Sequence, residues 1–130
     1  MHDRDKVLEA LQNQDAVIHN AAKASGWGSW NDFYQTNVLG TQNIIEGCLQ
    51  LGIQKLVYTS TPSVVHQGRT AVAGGNENNT PYAAHFSAHY PHTKMLAEKL
   101  LLAANGQQLA TVALRPRLIW GPGDTQLLPR

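Results

Sequence analysis

Three short apolar runs, each following a segment with helical periodicity, constrain the fold of this chain most strongly. The first run, at residues 16–18, is continuous, which suits a strand that is buried on both faces of a sheet. Residues 54–61 and 109–116 show the patterns of a second and a third buried strand. Strands this short and apolar are typical of parallel sheets, because helices usually cover both of their faces.

Helical patterns precede each of these strands. Residues 4–13 have their apolar positions on one side, as an amphipathic helix does. Ser29 and Asp32 have the spacing of a capping box, which predicts the start of a second helix there. That helix is predicted to end at Gly52, because glycine is the usual residue after a helix C-terminus. A third helix is predicted over residues 88–105.

The order helix–strand, repeated three times, predicts an α/β fold with a parallel sheet, right-handed crossovers and helices on both faces. In such sheets, ligands bind beyond the carboxyl ends of the strands. The predicted strands end in HNAA, YTSTPS and RPRLIWGPGD, which bring small or polar residues to that edge. The stretch 66–88 is a loop of about 23 residues. Loops that long within a compact domain are usually functional or mobile.

Tyr90 and Lys94 lie four residues apart in the segment YPHTK, so on a helix they share one face. Pro91 fits only in the first helical turn, which places the pair near the positive end of the helix dipole. The ammonium and the dipole are expected to lower the pKa of the phenol toward neutrality. Tyr90 would then exchange a proton with an alcohol or ketone oxygen that Thr61 or Ser60 orients. A bare Tyr-x-x-x-Lys also occurs in many helices without any catalytic role.

Composition excludes several classes of protein. The net charge is +1, so electrostatics does not favour a nucleic-acid partner or an anionic membrane surface. No apolar run approaches the roughly 20 residues of a membrane helix. Cys48 is the only cysteine, which rules out a disulfide within the chain and suggests a reducing, cytoplasmic compartment.

Five motifs follow one another along the chain: HNAA, NVLGTQNII, KLVYTSTPSVV, YPHTK and ALRPRLIWGPGD. Together they resemble the extended short-chain dehydrogenase/reductase family, which also contains NAD-dependent epimerases and dehydratases, and within it the 3β-hydroxysteroid dehydrogenase-like branch. In that branch, GWGSWNDFYQTNVLGTQN and YTSTPSVVHQG are most similar to bacterial 2-alkyl-3-oxoalkanoate reductases. The resemblance implies a Rossmann-like, doubly wound sheet. It also implies an NAD(P)-dependent oxidoreductase that interconverts a secondary alcohol and a ketone on a small apolar substrate of 3-oxoalkanoate or 3β-hydroxysteroid type.

The resemblance also assigns roles to residues. Tyr90 is the general acid/base, Lys94 binds the nicotinamide ribose, and Thr61 orients the substrate oxygen, with Ser60 as the alternative. The residues that the resemblance places at the cofactor are Ala21, Ala22, Asn37, Thr59, Ser60, Tyr90, Lys94, Pro116 and Ile119. Besides Thr61, the candidates for an apolar substrate wall are Trp27, Tyr82 and Trp120.

Two parts of the family pattern are missing. The glycine-rich fingerprint G-x-x-G-x-x-G, which lets the backbone approach the cofactor pyrophosphate, does not occur in the 130 residues. The smaller substrate lobe of the family is also absent, so we expect the chain to be an internal fragment. Residues 1–130 would be the central and C-terminal part of a dinucleotide-binding domain, with no second domain. Alone, it should bind NAD or NADP weakly and be inactive. The resemblance further implies a homodimer through helices over residues 31–51 and 89–105.

Other functions stay open. A non-catalytic dinucleotide sensor usually lacks the tyrosine, which is present here as Tyr90. A nucleotide-sugar epimerase or dehydratase shares the fold, but STPSVV and GWGSW favour an apolar substrate. The chain has six histidines, yet no complete ligand set accompanies His85, His89 and His92, so no metal is expected. Arg115 or Arg117 could bind a substrate carboxylate, or form a structural ion pair.

Overall fold

A computed structural model describes residues 1–25, 27–66 and 72–123. The helices and strands occur in the predicted order, with bounds that differ from the predicted ones by a few residues. They are α1 (Arg4–Leu11), β1 (Val17–His19), α2 (Trp30–Phe33), a π-helical segment (Tyr34–Leu39), α3 (Gly40–Leu51), β2 (Lys55–Thr59), a short 3₁₀ turn (Pro62–Val64), α4 (His89–Ala103) and β3 (Ala110–Leu114). Within this part of the chain, no helix has the length and hydropathy needed to cross a membrane.

The three strands form one parallel sheet in the order β1-β2-β3. The register aligns Ile18 with Val57 and Val57 with Val112. Each crossover contains a helix, as parallel neighbours require. The predicted Rossmann-like α/β fold is therefore confirmed as a partial one, and the carboxyl ends of all three strands meet at one edge.

One face of the sheet carries the hydrophobic core. Leu56 and Tyr58 point from β2 into a cluster with the buried side chains of three helices. The helical members of this cluster are Leu11 of α1, Ile44, Ile45 and Cys48 of α3, and Ala97 and Leu101 of α4. All three longer helices thus pack on the same side of the sheet.

The opposite face of the sheet is uncovered among the described residues. Ile18 is 69% exposed, Val112 46% and Leu114 51%. The predictions of strands buried on both faces, and of helices on both faces, are therefore wrong for this part of the chain. The strands are apolar as predicted, but no described element packs against the second face.

The helix that follows β1 begins and ends as predicted. The Ser29 hydroxyl accepts from the Asp32 backbone N–H at 3.2 Å, and the Asp32 carboxylate accepts from the Ser29 N–H at 3.0 Å. Gly52 closes α3 with a φ of +72°, a left-handed conformation that glycine adopts without strain. Between these ends, residues 34–39 widen into a π-helix, which the sequence pattern did not predict.

The long loop predicted at residues 66–88 is confirmed where it is described. Residues 72–88 contain turns but no helix or strand, whereas residues 67–71 lie outside the described part. Asp124, the last residue of the segment RPRLIWGPGD, also lies outside it. Helix α4 then begins at His89, so Pro91 falls in its first turn, where its missing N–H costs no hydrogen bond.

Candidate active site

A cavity of about 290 Å³ lies at the edge where the strands end. It collects residues from the loops after β1, β2 and β3 and from the first turns of α4. Its lining consists of Asn20, Ala22, Ala24, Thr59, Ser60, Thr61, Tyr90, Lys94, Pro116 and Ile119. The three residues predicted to be catalytic, Tyr90, Lys94 and Thr61, therefore share one cavity.

Tyr90 enters this cavity from the first turn of α4 and is half-buried. Burial raises the pKa of its phenol above the ordinary value, and the nearby Thr61 hydroxyl is the contact that opposes the rise. Thr61 itself is held in place by the 3₁₀ turn, because its side chain accepts from the Ser63 backbone N–H at 3.3 Å. The phenol of Tyr90 and the hydroxyl of Thr61 are thus close enough to interact.

Lys94 occupies the next turn of α4 and is buried. Its ammonium donates to the Thr59 carbonyl oxygen at 2.6 Å and lies 4.1 Å from the centroid of the Tyr58 ring. Burial lowers the pKa of Lys94 to about 8, with the negative charge of Glu98 opposing the shift.

This geometry corrects one prediction. Lys94 was expected to lower the pKa of the Tyr90 phenol, yet that pKa is raised. The physical reason is that burial disfavours the phenolate, while the ammonium is engaged by the Thr59 carbonyl and the face of Tyr58.

The residues predicted to contact the cofactor divide into two groups. Ala22, Thr59, Ser60, Pro116 and Ile119 line the cavity together with Tyr90 and Lys94. Ala21 is exposed and lies between two lining residues without being one itself.

Asn37, the remaining residue predicted at the cofactor, does not line the cavity and is buried in the π-helical segment. Its amide nitrogen donates to the Lys23 carbonyl oxygen at 3.1 Å and to the Thr93 hydroxyl at 3.0 Å. Its amide oxygen accepts from the Lys23 backbone N–H at 2.7 Å. Asn37 therefore ties the loop after β1 to helix α4.

The predicted apolar substrate wall is not assembled. Trp27 is 88% exposed and Trp120 is 68% exposed, and neither lines a described cavity. Tyr82 is half-buried, but its hydroxyl donates to the Glu98 carboxylate at 2.8 Å. Tyr82 thus belongs to a polar network rather than to an apolar surface.

The centre of that network, Glu98, was not singled out from the sequence. Its buried carboxylate accepts hydrogen bonds from the Ser60 hydroxyl, the Tyr82 hydroxyl and the Arg115 guanidinium, whose Nη2 lies 2.5 Å from Oε1. Burial alone would raise the pKa of Glu98, but these hydrogen bonds, that of Arg115 foremost, hold it below the ordinary value. The sequence feature that could have identified Glu98 was its position, four residues after Lys94 on the same helix face.

A second, larger cavity of about 680 Å³ adjoins the first and shares Thr61 and Pro116 with it. Its lining is Thr61, Pro62, Ser63, Val65, His66, Val72, Pro116, Arg117 and Leu118. Several of these side chains are apolar, so this space can accept the body of an apolar molecule whose polar end reaches Thr61.

His92 and His19 pack against other side chains in the described structure. His92 stacks on Phe86 with ring centroids 5.1 Å apart and contacts Trp30 at 4.9 Å. His19 is buried at the end of β1, shares a 2.9 Å hydrogen bond with the Thr41 hydroxyl, and has its pKa lowered to about 4 by burial. The described residues contain no group of three or more His, Cys, Asp or Glu side chains able to hold a metal ion.

Known proteins resemble this chain in both sequence and structure. It is 55% identical over 128 residues to a 2-alkyl-3-oxoalkanoate reductase of Stenotrophomonas maltophilia, covering 98% of this chain and 39% of that protein. It is 38% identical over 128 residues to the human sterol-4-alpha-carboxylate 3-dehydrogenase, decarboxylating, covering 97% of this chain and 34% of that protein. The chain thus spans about two fifths or less of the length of these relatives.

Among solved structures, MoeE5 in complex with UDP-glucuronic acid and NAD aligns with a TM-score of 0.75 and 32% identity, over 90% of this chain and 39% of that one. The UDP-glucose 4-epimerase of Thermus thermophilus, in complex with NAD, aligns with a TM-score of 0.71 and 30% identity, over 88% of this chain and 38% of that one. Residues 1–130 also match the family described as 3-beta hydroxysteroid dehydrogenase/isomerase along their whole length. The chain therefore belongs to the 3-beta hydroxysteroid dehydrogenase/isomerase family.

Proposed function

We propose that this chain is part of an NAD(P)-dependent oxidoreductase that interconverts a secondary alcohol and a ketone on an apolar substrate. The observation that carries the proposal is the meeting of Tyr90, Thr61 and Lys94 in one cavity at the strand ends. Its family and its similarity to a 2-alkyl-3-oxoalkanoate reductase support the same activity. Residues 1–130 would form the central and C-terminal part of the dinucleotide-binding domain, which agrees with the 39% of that relative they cover.

The cavity suits the nicotinamide half of NAD or NADP. Lys94 has three N–H donors, and among the described residues one of them is used, by the Thr59 carbonyl oxygen. The remaining donors would bind ribose hydroxyls, while the small side chains of Ala22 and Ala24 leave room beside them. When bound, the dinucleotide supplies or accepts a hydride. The glycine-rich fingerprint for its pyrophosphate does not occur in these 130 residues, so other parts of the whole enzyme would hold that end.

In the direction of reduction, Tyr90 acts as a general acid. Because its pKa is raised by burial, the phenol is protonated at neutral pH and can donate its proton to the ketone oxygen. Thr61 donates a hydrogen bond to the same oxygen and fixes its position. Lys94, whose pKa is about 8, is mainly protonated at neutral pH and stays bound to the Thr59 carbonyl oxygen one helical turn away from Tyr90.

The substrate we propose is of 3-oxoalkanoate or 3β-hydroxysteroid type. Two relatives have names that specify such molecules: a 2-alkyl-3-oxoalkanoate reductase and a sterol-4-alpha-carboxylate 3-dehydrogenase. In both names, the oxygen-bearing carbon neighbours a carbon that carries a further substituent. The larger cavity beside Thr61, with Val65, Val72 and Leu118 in its lining, offers space for an apolar chain or ring system.

Replacing Tyr90 with phenylalanine tests this proposal in the full-length enzyme. Tyr90→Phe removes the acidic proton but keeps the ring, so turnover should fall by about 10²–10⁴-fold. Cofactor affinity, measured by fluorescence titration with NADPH, should stay nearly unchanged. Tyr34→Phe makes the same chemical change outside the cavity and should leave turnover at the wild-type rate. Substantial activity in Tyr90→Phe would contradict the mechanism.

An epimerase or dehydratase of nucleotide sugars is the second candidate. It is favoured by the structural similarity to MoeE5 in complex with UDP-glucuronic acid and to a UDP-glucose 4-epimerase. The apolar residues in the lining of the larger cavity, Val65, Val72 and Leu118, argue for the reductase instead. Incubating the full-length enzyme with UDP-glucose separates the two, since only the second candidate consumes it.

We further propose a homodimer through the helices over residues 31–51 and 89–105. Its support is the exposure of Leu49 and Leu51 on α3 and of Leu100 and Leu102 on α4.

A cytoplasmic location is supported by Cys48, a buried thiol whose pKa burial raises to about 11, as in a structural, unreactive cysteine.

A further inference from the structure

The larger cavity combines apolar side chains with one guanidinium group. Val65, Val72 and Leu118 supply apolar surface, and Arg117 supplies a positive charge. Thr61 belongs to both this cavity and the smaller one that holds Tyr90. A substrate whose oxygen reaches Thr61 therefore extends into a space that contains Arg117.

The two arginines beside Pro116 have different environments. Arg115 is committed to Glu98, with Nη2 2.5 Å from Oε1 and Nε 3.2 Å from both carboxylate oxygens. Arg117 takes part in none of the ion pairs found among the described residues. The described lining of its cavity contains no carboxylate that could neutralise it. As far as residues 1–25, 27–66 and 72–123 are concerned, the charge of Arg117 can therefore face a ligand in this cavity.

The backbone next to Arg117 is also unusual. Leu118 has a φ of +45°, a left-handed conformation that a leucine adopts only at an energetic cost. Such strained residues concentrate at ligand sites, where the surrounding structure holds them. In this loop, the conformation leaves both Arg117 and Leu118 in the lining of the same cavity.

We propose that Arg117 binds the carboxylate of the substrate, so that the larger cavity selects 3-oxo acids with apolar chains over neutral ketones. The planar guanidinium can bind both carboxylate oxygens at once, which fixes orientation as well as charge. The carbonyl oxygen then lies at Thr61 and Tyr90, and the chain extends along Val65, Val72 and Leu118. This inference rests on the proposed function, because it assumes that the substrate oxygen is bound at Thr61.

Equilibrium binding tests Arg117 without requiring turnover. The probes are a long-chain 2-alkylalkanoic acid and its methyl ester, titrated calorimetrically into the full-length enzyme. Wild type should bind the acid more tightly than the ester. Arg117→Met should weaken binding of the acid by about tenfold or more and leave the ester unchanged, since the guanidinium is the carboxylate's partner. Arg117→Lys keeps the charge, so its affinity for the acid should lie between those of wild type and Arg117→Met. Equal affinity of wild type for acid and ester would overturn the inference. It would also be overturned if Arg117→Met lost the same amount of affinity for the acid and for the ester.

Kinetics separates a failure of this inference from a failure of the proposed function. With a 2-alkyl-3-hydroxy acid, Arg117→Met should raise KM for oxidation by about tenfold or more and change kcat little. With the methyl ester, it should change neither constant. Arg4→Met removes an exposed arginine of α1 and should match wild type with both substrates. Oxidation of acid and ester alike by every variant would overturn the role of Arg117 while keeping the oxidoreductase. If wild type oxidises neither compound with NAD or NADP, the proposed function fails, whereas the binding preference still tests Arg117.

Discussion

At the scale of single residues, the site depends on charges that are buried and paired. Glu98 holds together the end of β2 through Ser60, the long loop through Tyr82 and the end of β3 through Arg115. Its carboxylate is almost fully buried, whereas the Arg115 side chain is 25% exposed. A buried carboxylate that loses its charge leaves its partners with weaker hydrogen bonds and an uncompensated positive charge.

Glu98→Gln should therefore destabilise the protein although it keeps the size of the side chain. We expect the free energy of unfolding, measured by urea denaturation, to fall by about 2–4 kcal/mol, because a buried pair is broken on one side. Glu46→Gln is the matched control. Glu46 pairs with Arg4 at 3.4 Å on the surface, so its change should cost under about 1 kcal/mol. Equal costs for the two substitutions would show that the Glu98 network does not stabilise the fold.

At the scale of secondary-structure elements, local signals set the ends of the helices, and long-range contacts set their interior. The capping box at Ser29 and the glycine at position 52 mark the ends of the long helix as predicted. The π-helical segment between them has no local signal. It coincides with Asn37, whose hydrogen bonds join Lys23 and Thr93, so contacts distant in sequence favour the wider turn.

Alanine substitutions at Gly52 and Gly106 measure how much the left-handed backbone at the end of α3 depends on glycine. A Cβ atom added at either position meets nothing within 4 Å, but only Gly52 has a left-handed φ, of +72°. Gly52→Ala should therefore lower the free energy of unfolding by about 1 kcal/mol through backbone strain alone. Gly106→Ala should leave it unchanged or raise it slightly. Thermal unfolding of both variants checks this, and an equal effect would rule out backbone strain as the cause.

At the scale of the whole molecule, two apolar surfaces are exposed in the described residues. One is the open sheet face, with Ile18, Val112 and Leu114, and the other is the outer side of α3 and α4, with Leu49 and Leu100. Exposed apolar surface of this kind favours association. The proposed dimer uses the helices, whereas an isolated chain could also associate through its sheet.

A single lysine substitution on each surface distinguishes association through the helices from association through the sheet. Sedimentation velocity of the 130-residue chain should show a dimer that Leu100→Lys converts to monomer, because a charge in the interface must be desolvated. Ile18→Lys places the same charge on the open sheet face and should leave the dimer intact. A wild-type chain that is monomeric at all concentrations would contradict the helical interface. So would a dimer that only Ile18→Lys disrupts.

The resemblance to a known family named most of the residues that line the cavity at the strand ends. The sequence by itself determined the order of the elements, the parallel sheet and the ends of the long helix. These features depend on periodicity and on neighbours a few positions apart, which a sequence displays directly. Only the tertiary structure decided that the Lys94 ammonium is bound by the Thr59 carbonyl, and that Arg115 pairs with Glu98 while Arg117 lines the larger cavity. It also decided that one face of the sheet is bare among the residues described. The reason is that burial and ion pairing depend on which distant segments meet, and the two arginines beside Pro116 are equivalent until those segments are in place.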